Sequence, residues 1–357
     1  MNYLTIIILI FSVLGALDRI FGNKFGIGKE FEKAFNLLGA MALSMIGMIV
    51  ISPLIADLMK PVSAFLLNVL HIDASIIPAS LFANDMGGAP LAVEMSLNEE
   101  IGKYNALVVS SMMGCTVSFT IPFALGLVKK EQHADLMSGL LCGIVTIPVG
   151  CFVSGLMCKI PFGTLVLNLV PLVIFSGLIA LGLVLVPKIC VKIFTVFGVF
   201  ITVIITIGLA LGIVRFLTGV EVIKGLATIE DGAAVCVNAA VVLSGAFPFM
   251  YIISKLLAQP LKAVGKKIGI NEFSVLGIVS ALATSATLFG MMDRMDKKGV
   301  VMNSAFSVSG AFVLGSHLAF TLAFDSAYVM PVIIGKLISG VLAVVLAYFL
   351  FDKLNKA

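Results

Sequence analysis

LFANDMGGAPLAVEMS, residues 81–96, is an apolar stretch broken in its middle by Asn84-Asp85-Met86-Gly87-Gly88. A carboxylate placed within hydrocarbon costs about 3 kcal/mol or more, so an intramembrane Asp marks a functional site by default. Adjacent glycines permit a tight turn and a close backbone approach to a ligand. A broken helix frees amides and carbonyls, tolerated at that depth only where they line a protein-enclosed cavity. The whole segment, 74–97, therefore reads as two short helical arms meeting at a polar tip. The plainer alternative is a hairpin turn in which Asp85 only caps a helix.

The surrounding chain supplies the membrane. Of 357 residues 60% are hydrophobic and only 12% charged, with a mean hydropathy of +1.18. Soluble domains run about half apolar and about a quarter charged. Apolar runs long enough to cross a bilayer fall near 3–21, 35–59, 104–128, 135–157, 162–187, 193–214, 233–257, 300–322 and 328–351. The N-terminal run lacks a basic leader and a small-residue cleavage site, so it reads as a retained first span. The 6 cysteines sit in apolar stretches without a CxxC pair and read as small buried hydrophobes. A net charge of +4 gives no reason to expect a nucleic-acid partner, and no cofactor or metal site is expected.

A second broken stretch, 272–294, is interrupted by Thr284-Ser285-Ala286-Thr287, about 200 residues after the first. Self-similarity at that period recurs elsewhere. Leu4–Gly22 aligns with Ile201–Gly219, KPVSAFLLNVLHID with QPLKAVGKKIGIN, and Ser138-Gly139 with Ser339-Gly340. Full crossings by both broken stretches give eleven spans and parallel repeats. Re-entrant hairpins give nine spans and inverted repeats. The first topology places 13 of the 23 Lys and Arg inside and the second 17, leaving 6 outside. The positive-inside rule favours the second. The expected fold is thus an all-α integral membrane protein of about nine transmembrane helices, with two re-entrant hairpins in two inverted repeats. Its parts are residues 1–160 (first repeat), 161–190 (linking helix) and 191–357 (second repeat), with the N-terminus outside and the C-terminus cytoplasmic.

Paired interrupted segments at matching repeat positions point to a transporter's binding site. The candidates are Asn84, Asp85, Gly87 and Gly88 from one tip and Thr284, Ser285 and Thr287 from the other. His317 lies inside an apolar span with no second His within helical reach, and reads equally as a packing residue or as a gate or proton carrier. Asn105, Asn238 and Asn303 read as interhelical hydrogen bonders. No nucleotide loop, metalloprotease motif or nucleophile elbow is present.

LGALDRIFGNKFGIGKEFEKAF (14–35), the 81–96 stretch, FTIPFALGLVKKEQHADLMSGLLCGIVTIPVGC (119–151) and FVLGSHLAFTLAF (312–324) resemble the ethanolamine-utilisation permease family (EutH type). The likeness runs through nearly the whole chain. It implies ethanolamine uptake across the bacterial inner membrane, with the small amine as substrate. Such an amine is mostly protonated at neutral pH, as lysine is. Asp85 would answer its ammonium, and Asn84, Thr284, Ser285 or Thr287 its hydroxyl. A passive channel, a carrier for another small amine or amino acid, and a membrane-embedded enzyme stay open as alternatives. Membrane lipid and further copies of the chain are the other partners allowed.

Overall fold

The computed structural model describes residues 3–354; Lys356, one of the 17 charges that the nine-span topology places inside, lies outside them. Helices follow in the order α1 (Tyr3–Ile20), α2 (Ile27–Asn36), α3 (Leu38–Leu70), α4 (Ile76–Leu81), α5 (Gly88–Met95), α6 (Glu99–Tyr104), α7 (Ile121–Leu127) and α8 (His133–Met157). After these come α9 (Phe162–Leu185), α10 (Pro187–Thr218), α11 (Ile229–Ile268), α12 (Glu272–Ala281), α13 (Ser285–Gly290), α14 (Lys297–Ser309), α15 (Ser316–Phe324) and α16 (Val329–Leu354). No strand occurs among the described residues. Among the described residues, seven helical stretches, the first at Ile27–Leu70 and the last at Ser326–Phe351, are long and apolar enough to cross a membrane. Their outward faces are apolar, as on α10 at Val196, Val199, Phe200, Val203 and Ile207, which suits lipid contact.

Two features depart from simple rods. The expected span 300–322 is not one helix: α14 stops at Ser309 and α15 begins at Ser316. The chain between them is a run of turns, with Phe312 at φ +60°, packed against the tip of the second broken stretch. Phe312 N donates to Ala281 O at 2.9 Å and Leu314 N to Leu282 O at 2.9 Å. The other departure is that α6 and α7 are the ends of one rod, Glu99–Leu127, wound as π-helix over Asn105–Gly114 and Thr116–Thr120. Such widened turns gather at functional sites.

Both broken stretches fold back on themselves. Asp73, before α4, accepts from Ser75 N at 3.0 Å and, beyond α5, from Leu97 N and Asn98 N at 3.1 Å each. Asp296, after α13, accepts from Asn271 N at 2.8 Å, just before α12. One aspartate therefore ties the two feet of each hairpin together. The feet lie at opposite ends of the Glu99–Leu127 rod. Asn98 caps its start, while Lys129, just past its end, pairs with Asp293 at 3.0 Å.

Close packing follows small residues, as it does where helices meet in lipid. A Cβ on Gly47 of α3 would lie 2.1 Å from Ile205 O of α10, and a Cβ on Gly245 of α11 would lie 2.0 Å from Ile8 O of α1. A Cβ on Gly150 of α8 would lie 2.5 Å from Gly335 O of α16. Asn105 and Asn303 hydrogen-bond across helices as expected, Asn105 to Asn168 at 3.0 Å and Asn303 to Ser274 O at 2.8 Å. Asn238 instead lies exposed on α11. All six cysteines are free thiols, four of them buried.

Candidate functional site

The first tip is shaped by its glycines. Gly87 adopts φ +91°, the left-handed region that favours glycine. A Cβ on Gly88 would lie 2.3 Å from Phe82 O, and Ala83 N donates to Ser118 Oγ of the π-wound rod at 3.0 Å. Asp85 is thereby presented on a single 3₁₀ turn, Asn84–Met86. At the second tip Thr284 caps α13, accepting from Ala286 N at 3.3 Å.

The two tips line one cavity of about 550 Å³. Asp85 and Met86 come from the first, Thr284 and Thr287 from the second, and Ser316 and His317 from the start of α15. The rings of Phe119 and Phe312, 5.7 Å apart edge to face, form part of its wall. Lys33, whose side chain is 47% exposed, lines the cavity too and marks its way out to the surface. A ring face and a carboxylate together suit an ammonium group, and the threonine hydroxyls can donate to or accept from a small alcohol.

Behind the cavity wall runs a buried polar chain. Asp85 Oδ1 lies 3.7 Å from His317 Nε2, with the Ser316 side chain also against the carboxyl. His317 Nδ1 lies 3.1 Å from Lys336 Nζ, which donates in turn to Ser111 O at 2.6 Å. His317 and Lys336 are each only 1% exposed, and Phe312 packs on the imidazole at 5.1 Å between centroids. The lysine can give only to Nδ1, so the imidazole proton sits on Nε2, facing Asp85.

The structure thus gathers Asp85, Thr284, Thr287 and His317. Asn84 and Ser285 are not among the residues lining the cavity. Both are fully buried, and Asn84 Oδ1 and Nδ2 and Ser285 Oγ have no hydrogen-bond partner among the described residues. Gly87 and Gly88 shape the turn and offer no side chain. Sequence reasoning misses Lys336, one of the 6 charges that the nine-span topology leaves outside, although it lies within α16. The available signal was a lone lysine in PVIIGKLISG (331–340), inside an apolar span where only a buried partner can hold it. Ser316, Phe119 and Phe312 carry no such signal.

A polytopic helical membrane protein with a charged cavity between two folded-back hairpins belongs, by architecture, with the small-solute transporters. Residues 1–350 match the family described as "Ethanolamine utilisation protein, EutH", and the chain belongs to that family. It is 41% identical over 350 residues to a Listeria monocytogenes protein named "Probable ethanolamine permease EutH", covering 98% of this chain and 94% of the relative. Proteins of the same name from Salmonella typhimurium and Escherichia coli are 37% and 36% identical, each covering 97% of this chain and 94% of the relative. No solved structure matches it.

Proposed function

We propose that this chain is an ethanolamine permease of the bacterial inner membrane, holding its substrate in the cavity between the two hairpin tips. One observation carries the proposal: the carboxylate of Asp85 and the hydroxyls of Thr284 and Thr287 line the same cavity. Asp85 takes the ammonium, with Phe119 and Phe312 offering ring faces, and the threonines take the hydroxyl. The names borne by the relatives from Listeria, Salmonella and Escherichia point to the same substrate. The cavity's task is movement rather than chemistry, since it joins two interrupted half-helices at a common centre.

The membrane arrangement belongs to the proposal. Each hairpin has its feet tied by one aspartate, which supports re-entry from one side. The feet sit at opposite ends of the Glu99–Leu127 rod, which supports entry from opposite sides and hence inverted repeats over 1–160 and 191–357, with α9 in the 161–190 link. The Gly47–Ile205 and Gly245–Ile8 contacts are the same contact exchanged between the halves. Nine crossings then comprise the seven long stretches, α1, and α14 with α15 as one broken span. The N-terminus lies outside and the C-terminus in the cytoplasm. Lys33 falls in the inward 19–33 charge cluster, so the cavity opens toward the cytoplasm.

Uptake of radiolabelled ethanolamine into proteoliposomes tests the function. A permease gives uptake that saturates with concentration and accelerates when unlabelled ethanolamine waits on the far side. Linear, unsaturable flux would indicate a channel, and flux no greater than in protein-free liposomes would remove the proposal.

A further inference from the structure

The buried lysine behind the site has no role in holding the substrate, yet it decides the charge of the site. With Lys336 as ammonium and His317 neutral, Asp85, His317 and Lys336 sum to zero. Charges taken out of water are stable only when paired. An arriving substrate ammonium adds +1 to a group of side chains of which two are 1% exposed. The neighbours that could absorb it are few. Cys115 from the π-wound rod and Cys151 from α8 are the other titratable groups facing Lys336, and Asp85 is its acidic one. Lys33, the remaining charged residue of the cavity lining, is itself a cation.

We propose that Lys336 is the resident cation of the empty site, and that an ammonium substrate binding at Asp85 expels one proton from the Lys336–His317 pair. Each substrate cation is then exchanged for one proton, and transport moves no net charge. The inference rests on Asp85 being the substrate's partner. The geometry supplies the route. His317 gives the proton on Nε2 to water in the cavity, breaking that N–H bond. Its Nδ1 takes a proton from Lys336, 3.1 Å away, leaving a neutral amine and a neutral imidazole of the other tautomer. Hydrogen bonding survives the change: Nδ1–H now donates to the Lys336 amine, which still donates to Ser111 O. Release of substrate on the other side reverses each step, with the proton taken up there.

The test is isothermal titration of the purified protein with ethanolamine near neutral pH, repeated in buffers of different ionisation enthalpy. The dependence of the heat on buffer counts protons, and close to one should leave per ethanolamine bound. Binding with no proton released would overturn the exchange while sparing the site. Absence of binding would remove both. In proteoliposomes, wild-type accumulation should ignore a 100 mV potential. Lys336→Gln, which has no proton to give, should bind ethanolamine without releasing one and accumulate it about 50-fold under that potential. A wild type driven by voltage to the same degree would contradict the proposal without recourse to any variant.

Discussion

Replacing Thr287 by valine removes a hydroxyl from the cavity wall and keeps the side chain's shape. If that hydroxyl answers the alcohol of the substrate, its loss costs one hydrogen bond, about 0.5–1.5 kcal/mol. Wild type should therefore favour ethanolamine over ethylamine by about 2- to 10-fold in competition, and Thr287→Val should lose that preference. A preference kept by Thr287→Val and Thr284→Val alike would move the hydroxyl site elsewhere. A surface pair gives a contrasting expectation. The Lys129 ammonium hydrogen-bonded to Asp293 holds that carboxyl below its ordinary 3.8. A depressed acid stabilises the fold above its unfolded value and ceases to do so as pH falls through the folded one. Any melting difference between wild type and Lys129→Met should be small, present at neutral pH, and lost as pH falls through the lowered folded value. Asp85, Thr284, Thr287 and His317 are legible in sequence because a polar residue in an apolar run has few reasons to be there. Lys336 is not, because assigning every lysine to a loop satisfies the charge rule while hiding the one that crosses inside. Asn84 and Ser285 show the converse: tip residues turn either into the cavity or into the packing, and spacing does not say which.

Hairpin geometry depends on glycine at a few close approaches. A Cβ on Gly114 would lie 2.0 Å from Phe82 O, a backbone atom that cannot swing aside. Gly114→Ala should push the first hairpin off the rod, costing about 1–3 kcal/mol. It should appear as a lower melting temperature together with weaker uptake; an unchanged pair of values would show that the hairpin has room. Labelling from the two sides checks the feet, in a cysteine-free background. His71→Cys and Leu97→Cys should react from one side, Lys267→Cys and Asp293→Cys from the other. Reaction of 71 and 97 from opposite sides would restore eleven crossings. The hairpins could be read from NDMGG and TSAT, whose polarity interrupts the apolar run. The break between α14 and α15 could not, since Gly310 and Gly315 within 300–322 read equally well as glycines that let helices pack closely. Its exposed amides are satisfied by Ala281 O and Leu282 O from another part of the chain, a tertiary fact that leaves no local mark.

The whole molecule matters only when lipid alone does not suffice. Neutral ethanolamine diffuses across a bilayer unaided, and its fraction falls about tenfold for each pH unit below the amine's pKa. A strain lacking this protein should therefore grow poorly on ethanolamine as nitrogen source in acidic, dilute medium, and normally in alkaline, concentrated medium. Equal impairment at every pH would mean that leak is negligible. At this scale the sequence already carries the membrane class, because hydropathy is a sum over many residues. The most direct test of the substrate site is initial ethanolamine uptake by Asp85→Asn beside wild type in proteoliposomes, with both proteins shown to be folded by their melting curves. Breaking a buried charge pair on one side loses about 3–5 kcal/mol, so kcat/KM should fall by about 100-fold or more. A folded Asp85→Asn protein transporting like wild type would contradict the account.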